Sequence, residues 1–143
     1  GNSTDYNVIQ KTILECAEMF DIHSIAFDRW NSNSLVQQLT DKGLEMDPFG
    51  QGFISMTAPI KNAEILVKKR LLHHGGNEML RWMVANVVTK KDDAENIKFS
   101  KAKAGDKIDG IIAMIMALGE MMTMENKDVT GTSTYESQGI RML

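Results

Sequence analysis

The sequence predicts an α/β layer fold. Stretches with apolar residues at three- and four-residue steps alternate with short apolar runs, and Gly, Pro, Asn and Asp clusters punctuate the joins. The 143 residues are 43% hydrophobic and 24% charged, which is the composition of one ordinary globular domain with a useful core.

Tyr6, Ile9, Ile13, Cys16, Ala17 and Phe20 form one apolar stripe, so a helix is expected over Asp5 to Phe20, with Ser3 or Thr4 as its cap. His23 to Asp28 is short and apolar and reads as a buried strand. The caps offered by Asn31 to Ser34 introduce a helix through Leu35, Val36 and Leu39 that stops at Gly43. Leu44 to Met46 reads as a second short strand ended by Asp47-Pro48. Gly50-Gln51-Gly52 reads as loop. Ala58-Pro59 suits the start of a helix that carries Ile60 to Leu71 and closes at Gly75-Gly76. A shorter helix, Glu78 to Ala85, follows. Val87 to Lys90 and Ile97 to Phe99 pair as strands around the polar turn 91–96. The last helix is expected from about Asp106 to Met122, with Ile108, Ile111, Ile112, Ile115, Leu118 and Met122 on its apolar face.

This is little strand for a self-contained sheet, and the chain opens directly with a helix. The expectation is that the first strands of the sheet lie upstream.

Several classes are excluded. The longest apolar stretch, Gly110 to Gly119, is too short to span a bilayer. The opening residues have no basic start before an apolar run, so they do not read as a signal peptide. The single Cys16 excludes an internal disulfide and a multi-cysteine zinc site, in keeping with a reducing cytoplasmic setting. No GxxxxGK[ST] loop is present, so ATP is not bound by that route. The eleven methionines read as fillers of a helical core.

The net charge of −3 hides an uneven distribution. Ile60 to Lys107 holds eleven Lys and Arg against six Asp and Glu, and the rest holds five against thirteen. A basic middle can face a phosphate backbone or be an ordinary solvated surface.

Asp28 stands at the carboxyl end of its strand, the edge where open α/β sheets bind ligands. A carboxylate there can hold a hard cation or cap the next segment. Asp109 falls in the first turn of the last helix, where the helix dipole favours an acid. Gly110 beside it costs a helix about 1 kcal/mol relative to Ala and points to close approach by a backbone or a ligand. Lys101, Lys103 and Lys107 precede Asp109 and can contact phosphate or remain solvated. His73-His74 reads as a surface helix end rather than a metal site. Trp30 and Trp82 read as packing residues.

Five motifs stand in order: Ile25-Ala-Phe-Asp-Arg-Trp-Asn31, Gly50-Gln-Gly-Phe-Ile-Ser-Met56, His74-Gly-Gly-Asn77, Arg81-Trp-Met83 with Asn86, and Lys107-Ile-Asp-Gly-Ile-Ile-Ala-Met-Ile-Met-Ala117. Together, from about Asp5 to Met122, they resemble the C-terminal part of the large terminase subunit of tailed bacteriophages and prophages. The resemblance implies a ribonuclease H-like nuclease domain that lacks its first strands in this chain. Residues 1–124 would form its C-terminal part, and residues 125–143 a loose polar tail. It implies metal-dependent cutting of concatemeric viral DNA during genome packaging, with Mg²⁺ or Mn²⁺ held by Asp28 and Asp109 as catalytic acids. ATP would bind only to an N-terminal motor absent here. The resemblance further implies double-stranded DNA, the small terminase subunit and the capsid portal as partners, no membrane, and the cytoplasm of the bacterial host. A further acid is expected on an upstream strand. The alternatives are a non-catalytic module that docks on DNA, portal or small subunit, and another ribonuclease H-like enzyme such as a resolvase or transposase.

Overall fold

A computed structural model describes residues 5–29, 33–100, 105 and 107–131. Helix α1 spans Tyr6–Met19. Its cap is Asp5, whose carboxylate accepts the Asn7 N–H at 2.9 Å. The Ser3 and Thr4 suggested by sequence lie outside the described residues. Strand β1, Ile25–Asp28, is followed by α2, Asn33–Asp41, and β2, Met46–Phe49. Helix α2 stops where expected: Gly43 takes a φ of +89°, and Leu44 N–H returns to the Leu39 carbonyl at 3.2 Å.

β1 and β2 pair in parallel, with Ile25 opposite Met46 and Asp28 opposite Phe49. Here the expected strand shifts along the chain, since Asp47 and Pro48 belong to β2 rather than ending it. Proline is tolerated because β2, among the described residues, pairs only with β1, and the missing N–H disturbs no second ladder. Ser24 Oγ donates to Asp47 Oδ2 at 2.8 Å and helps fix the register.

Helix α3 runs Phe53–Lys68, starting before the Ala58-Pro59 boundary and ending before Gly75-Gly76. Pro59 sits inside it, although proline prefers the first turn. Tertiary contacts outweigh that preference. Met56, one turn earlier, is only 2% exposed. Thr57 Oγ1 accepts the Ile97 N–H at 2.9 Å and donates to the Phe53 carbonyl at 2.6 Å. Helix α4, Glu78–Ala85, is capped by Asn77, whose side chain accepts Leu80 N–H at 2.8 Å. Strands β3, Thr89–Lys91, and β4, Ile97–Phe99, form the expected antiparallel hairpin. Asp92 closes its turn by accepting the N–H of Ala94 and Asn96 and the Asn96 side-chain amide.

Helix α5, Asp109–Gly131, continues past the expected end at Met122. It is the centre of the fold. Ile111 and Ile115 pack with Met56, Ile60 and Ala63 of α3 and Ile97 of β4. Ile108, Ile112 and Met116 pack toward Ala26, Phe49, Val87 and Phe99. Each such side chain contributes roughly 1.5–3 kcal/mol by leaving water. Two glycines let neighbours approach α5. A side chain on Gly110 would meet Met83 of α4, so its freedom serves helix packing rather than a ligand. One on Gly119 would meet Phe49 and Pro59. Among the described residues, no helix is long and apolar enough to cross a membrane.

Candidate functional site

The parallel pair β1–β2 places two chain segments at one edge of the sheet. Asp28 ends β1, and Gly50-Gln51-Gly52 follows β2 directly. This is the carboxyl edge, where backbone groups and side chains leave the ladder and become available to ligands. Because α5 packs against β1, its first turns come to the same region.

Asp28 and Asp109 line one open cavity of about 830 Å³. One wall is β1 together with the residues from Asp21 that lead into it. The other is a face of α5 that includes Ile112, Ala113, Met116 and Ala117. Gln51 also lines the cavity, and its amide lies 3.7 Å from the Met116 sulfur. Asp28 is half-buried and Asp109 exposed, so both can reach a ligand in the cavity. β1 pairs only with β2 among the described residues, so its second edge lies open along this groove.

Two oxygen donors suit a hard cation such as Mg²⁺, which takes carboxylates and retains several waters. No group of three or more His, Cys, Asp or Glu able to hold a metal occurs among the described residues. Asp28 and Asp109 supply two oxygen donors to the lining of the cavity.

Sequence reasoning missed Glu120 and Gln51. Glu120 is 8% exposed and lines the same groove. It lies roughly 16 Å along the helix axis from Asp109, at about 1.5 Å per residue, too far to share one ion with it. Its signal was available: an acid four residues after Met116 stands on the buried side of the helix. Gln51 stands between two glycines that read as loop, and in the sequence it counts only as part of the motif Gly50 to Met56. Lys107 is exposed, just ahead of Asp109, whereas Lys101 and Lys103 lie outside the described residues. Trp30 lies outside them as well. His73 and His74 line a different cavity.

Comparison with known proteins gives a consistent answer. Residues 1–125 match the family described as terminase large subunit, endonuclease domain. The chain is 36% identical over 121 residues to the large terminase subunit of Enterobacteria phage HK97, covering 83% of this chain and 24% of that protein. It is 32% identical over a 147-residue alignment to Protein YmfN of Escherichia coli strain K12, covering 100% of this chain and 32% of that protein. The crystal structure of the HK97 large terminase superposes with a TM-score of 0.76 at 36% identity, over 84% of this chain and 26% of that one. The chain thus spans about a quarter to a third of the length of these relatives.

Proposed function

The chain belongs to the family of terminase large-subunit endonuclease domains, and on that premise we propose that it is part of a metal-dependent nuclease that cuts concatemeric viral DNA during genome packaging. The observation that carries the reading is the shared cavity of Asp28 and Asp109. Residues far apart in sequence line it together because α5 packs on β1.

Asp28 and Asp109 are the residues that would hold Mg²⁺ or Mn²⁺. When bound, such an ion polarises a phosphodiester and lowers the pKa of a bound water. The chain's own part is to fix the carboxylates at the sheet edge and to offer cations to the DNA backbone. Lys107 is proposed for that contact, with Lys101 and Lys103. Double-stranded DNA is the substrate in this reading. The small terminase subunit and the capsid portal are partners of the whole protein, whose ATP-driven motor would lie in the remaining part.

A ribonuclease H-like sheet is also part of the proposal. Two features support it. The open edge of β1 faces the groove, whose wall on α5 includes Ile112, Ala113 and Met116. Helix α1 has an apolar stripe yet no buried residue, with Phe20 65% exposed. A strand of the full-length protein laid along β1 would complete both, and would bring a further acid to the cavity.

The test is plasmid cleavage in Mg²⁺ or Mn²⁺. A longer chain that supplies the upstream strands is expected to nick the plasmid, and the 143-residue chain to cut it poorly or not at all. In the longer chain, Asp28→Asn and Asp109→Asn should each abolish cutting with the circular dichroism unchanged. Asparagine preserves shape and removes the charge that holds the metal. Two variants that cut like the parent would reduce these residues to structural caps.

A further inference from the structure

A second cavity, of about 660 Å³, opens between the end of α3, the segment leading to α4, α4 itself and α5. Arg70, His73, His74 and Arg81 line it, and among the described residues no Asp or Glu does. Its apolar wall includes Val67, Val84 and Met114. The apolar surface continues outward, since Val67, Leu71, Met79 and Val84 are each more than half exposed.

Arg70 is held there at a cost. Helix α3 ends in a Schellman turn, with Arg70 N–H donating to the Val67 carbonyl at 3.0 Å and Leu71 N–H to the Leu66 carbonyl at 2.8 Å. The turn requires a left-handed residue, and Arg70 has a φ of +58°. Glycine adopts this conformation without steric penalty, whereas an arginine is strained in it. Strain kept at the mouth of a cavity points to a use for the side chain. The His74 ring is held in place there, its Nδ1 accepting the Gly76 N–H at 3.2 Å.

This cavity is separate from the acidic groove. The two cavities share no lining residue: Met114 lines this one, whereas Asp109, Ile112, Met116 and Glu120 of α5 line the other. A phosphate backbone would satisfy the two guanidiniums but leave Val67, Leu71, Met79 and Val84 without apolar partners. A protein segment with apolar side chains set between carboxylates satisfies both, because the arginine fork takes a carboxylate bidentately while the apolar wall takes the neighbouring side chain.

We propose that the cavity between α3, α4 and α5 is a docking site for an acidic, apolar segment of a partner protein. The site is independent of the nuclease reading. The test uses the full 143-residue chain and fluorescence anisotropy of a labelled amphipathic peptide with Leu on one face and Glu on its flanks. The same peptide with Gln for Glu, the same peptide with Ser for Leu, and a labelled DNA duplex are the comparison probes. The Leu–Glu peptide should bind, and both altered peptides should bind at least about tenfold more weakly. Arg81→Ala should weaken binding by a similar factor. Arg70→Gly is the decisive variant, because glycine relieves the left-handed strain. Its melting temperature should be equal or higher while peptide binding falls. No binding of the Leu–Glu peptide, equal binding of the Gln peptide, or undiminished binding by Arg70→Gly overturns the proposal. Binding of the duplex in place of the peptide, lost in the same variants, overturns it in favour of a nucleic-acid site.

Discussion

The Phe49 ring occupies the space that a side chain on residue 119 would need: a Cβ built on Gly119 would stand 2.5 Å from Phe49 Cζ and 3.3 Å from Pro59 Cγ. Strand β2 and helices α3 and α5 meet at that point. Gly119→Ala must push the ring or separate α5 from its neighbours. Overpacking of this kind costs about 1–3 kcal/mol, against a helix-propensity gain of about 1 kcal/mol for Gly to Ala. The expected net effect is a lower melting temperature. Gly110→Ala is the comparison. Its Cβ would stand 2.7 Å from Met83 Sδ, in the outer part of a flexible side chain that can move aside. It should be close to neutral. Equal melting temperatures for the two variants would contradict the distinction between a ring and a thioether as obstacle.

Thr57 links α3 to the first residue of β4 by accepting the Ile97 N–H at 2.9 Å. Thr57→Val keeps the shape and removes the acceptor. An amide left without a partner in a part-buried place costs about 1–3 kcal/mol. The variant should unfold at lower denaturant, with faster amide exchange at Ile97 than elsewhere in the hairpin. Unchanged exchange at Ile97 would show that the bond contributes nothing.

The β3–β4 turn should loosen in acid. The Asn96 side-chain amide, helped by the backbone N–H groups of Asn96 and Ala94, holds the Asp92 carboxyl below its ordinary value of 3.8. A carboxyl lowered in the folded state stabilises above its unfolded value and loses that contribution as pH falls through its folded value. Glu95 behaves alike, lowered by its bond to Lys91. Lys91 is raised by the same bond, so its contribution disappears only in strong alkali, as pH rises through its folded value above 10.5. Asp92 is half-buried and Glu95 exposed, and both sit in the turn, so the effect is local to it. Amide exchange at Ala94 and Asn96 should speed up, relative to the acid trend of an unstructured peptide, as pH drops below 3.8. Asp92→Ala should show faster exchange there at neutral pH and a smaller further loss in acid, the remainder belonging to Glu95.

If Asp28 and Asp109 share an ion, Mn²⁺ should broaden the NMR signals around both at the same concentration. Paramagnetic broadening falls steeply with distance, so one shared ion affects both neighbourhoods together. Asp28→Asn or Asp109→Asn should each weaken the effect at both places. Broadening confined to one of the two would dissolve the shared site while leaving the fold intact.

The open edge of β1 and the part of the α1 stripe formed by Tyr6, Ile9 and Phe20 expose apolar surface. The chain should bind a hydrophobic dye or self-associate as concentration rises. Phe20→Ser, at a position 65% exposed, should reduce that response without lowering stability. A monomer that binds no dye at high concentration would count against an uncovered edge.

The sequence by itself determined the elements whose signals are local. The apolar stripe of α1, the end of α2 at Gly43, the hairpin around Asp92 and the core face of α5 all follow from period, turn chemistry and caps within a few residues. The five motifs also carried the family, because their order persists without any knowledge of packing. The tertiary structure decided whatever depends on which faces meet. Pro59 obeyed its local preference on paper, but burial of Met56 and the Thr57–Ile97 bond draw the helix back to Phe53. Gly110 read as room for another backbone or a ligand and proved to be room for the Met83 side chain. Asp28 and Asp109 each looked ambiguous between cap and ligand. They line one cavity because the buried face of α5 is wide enough to pack on α3 and on the β1–β2 sheet at once, and burial summed over the whole chain selects that arrangement.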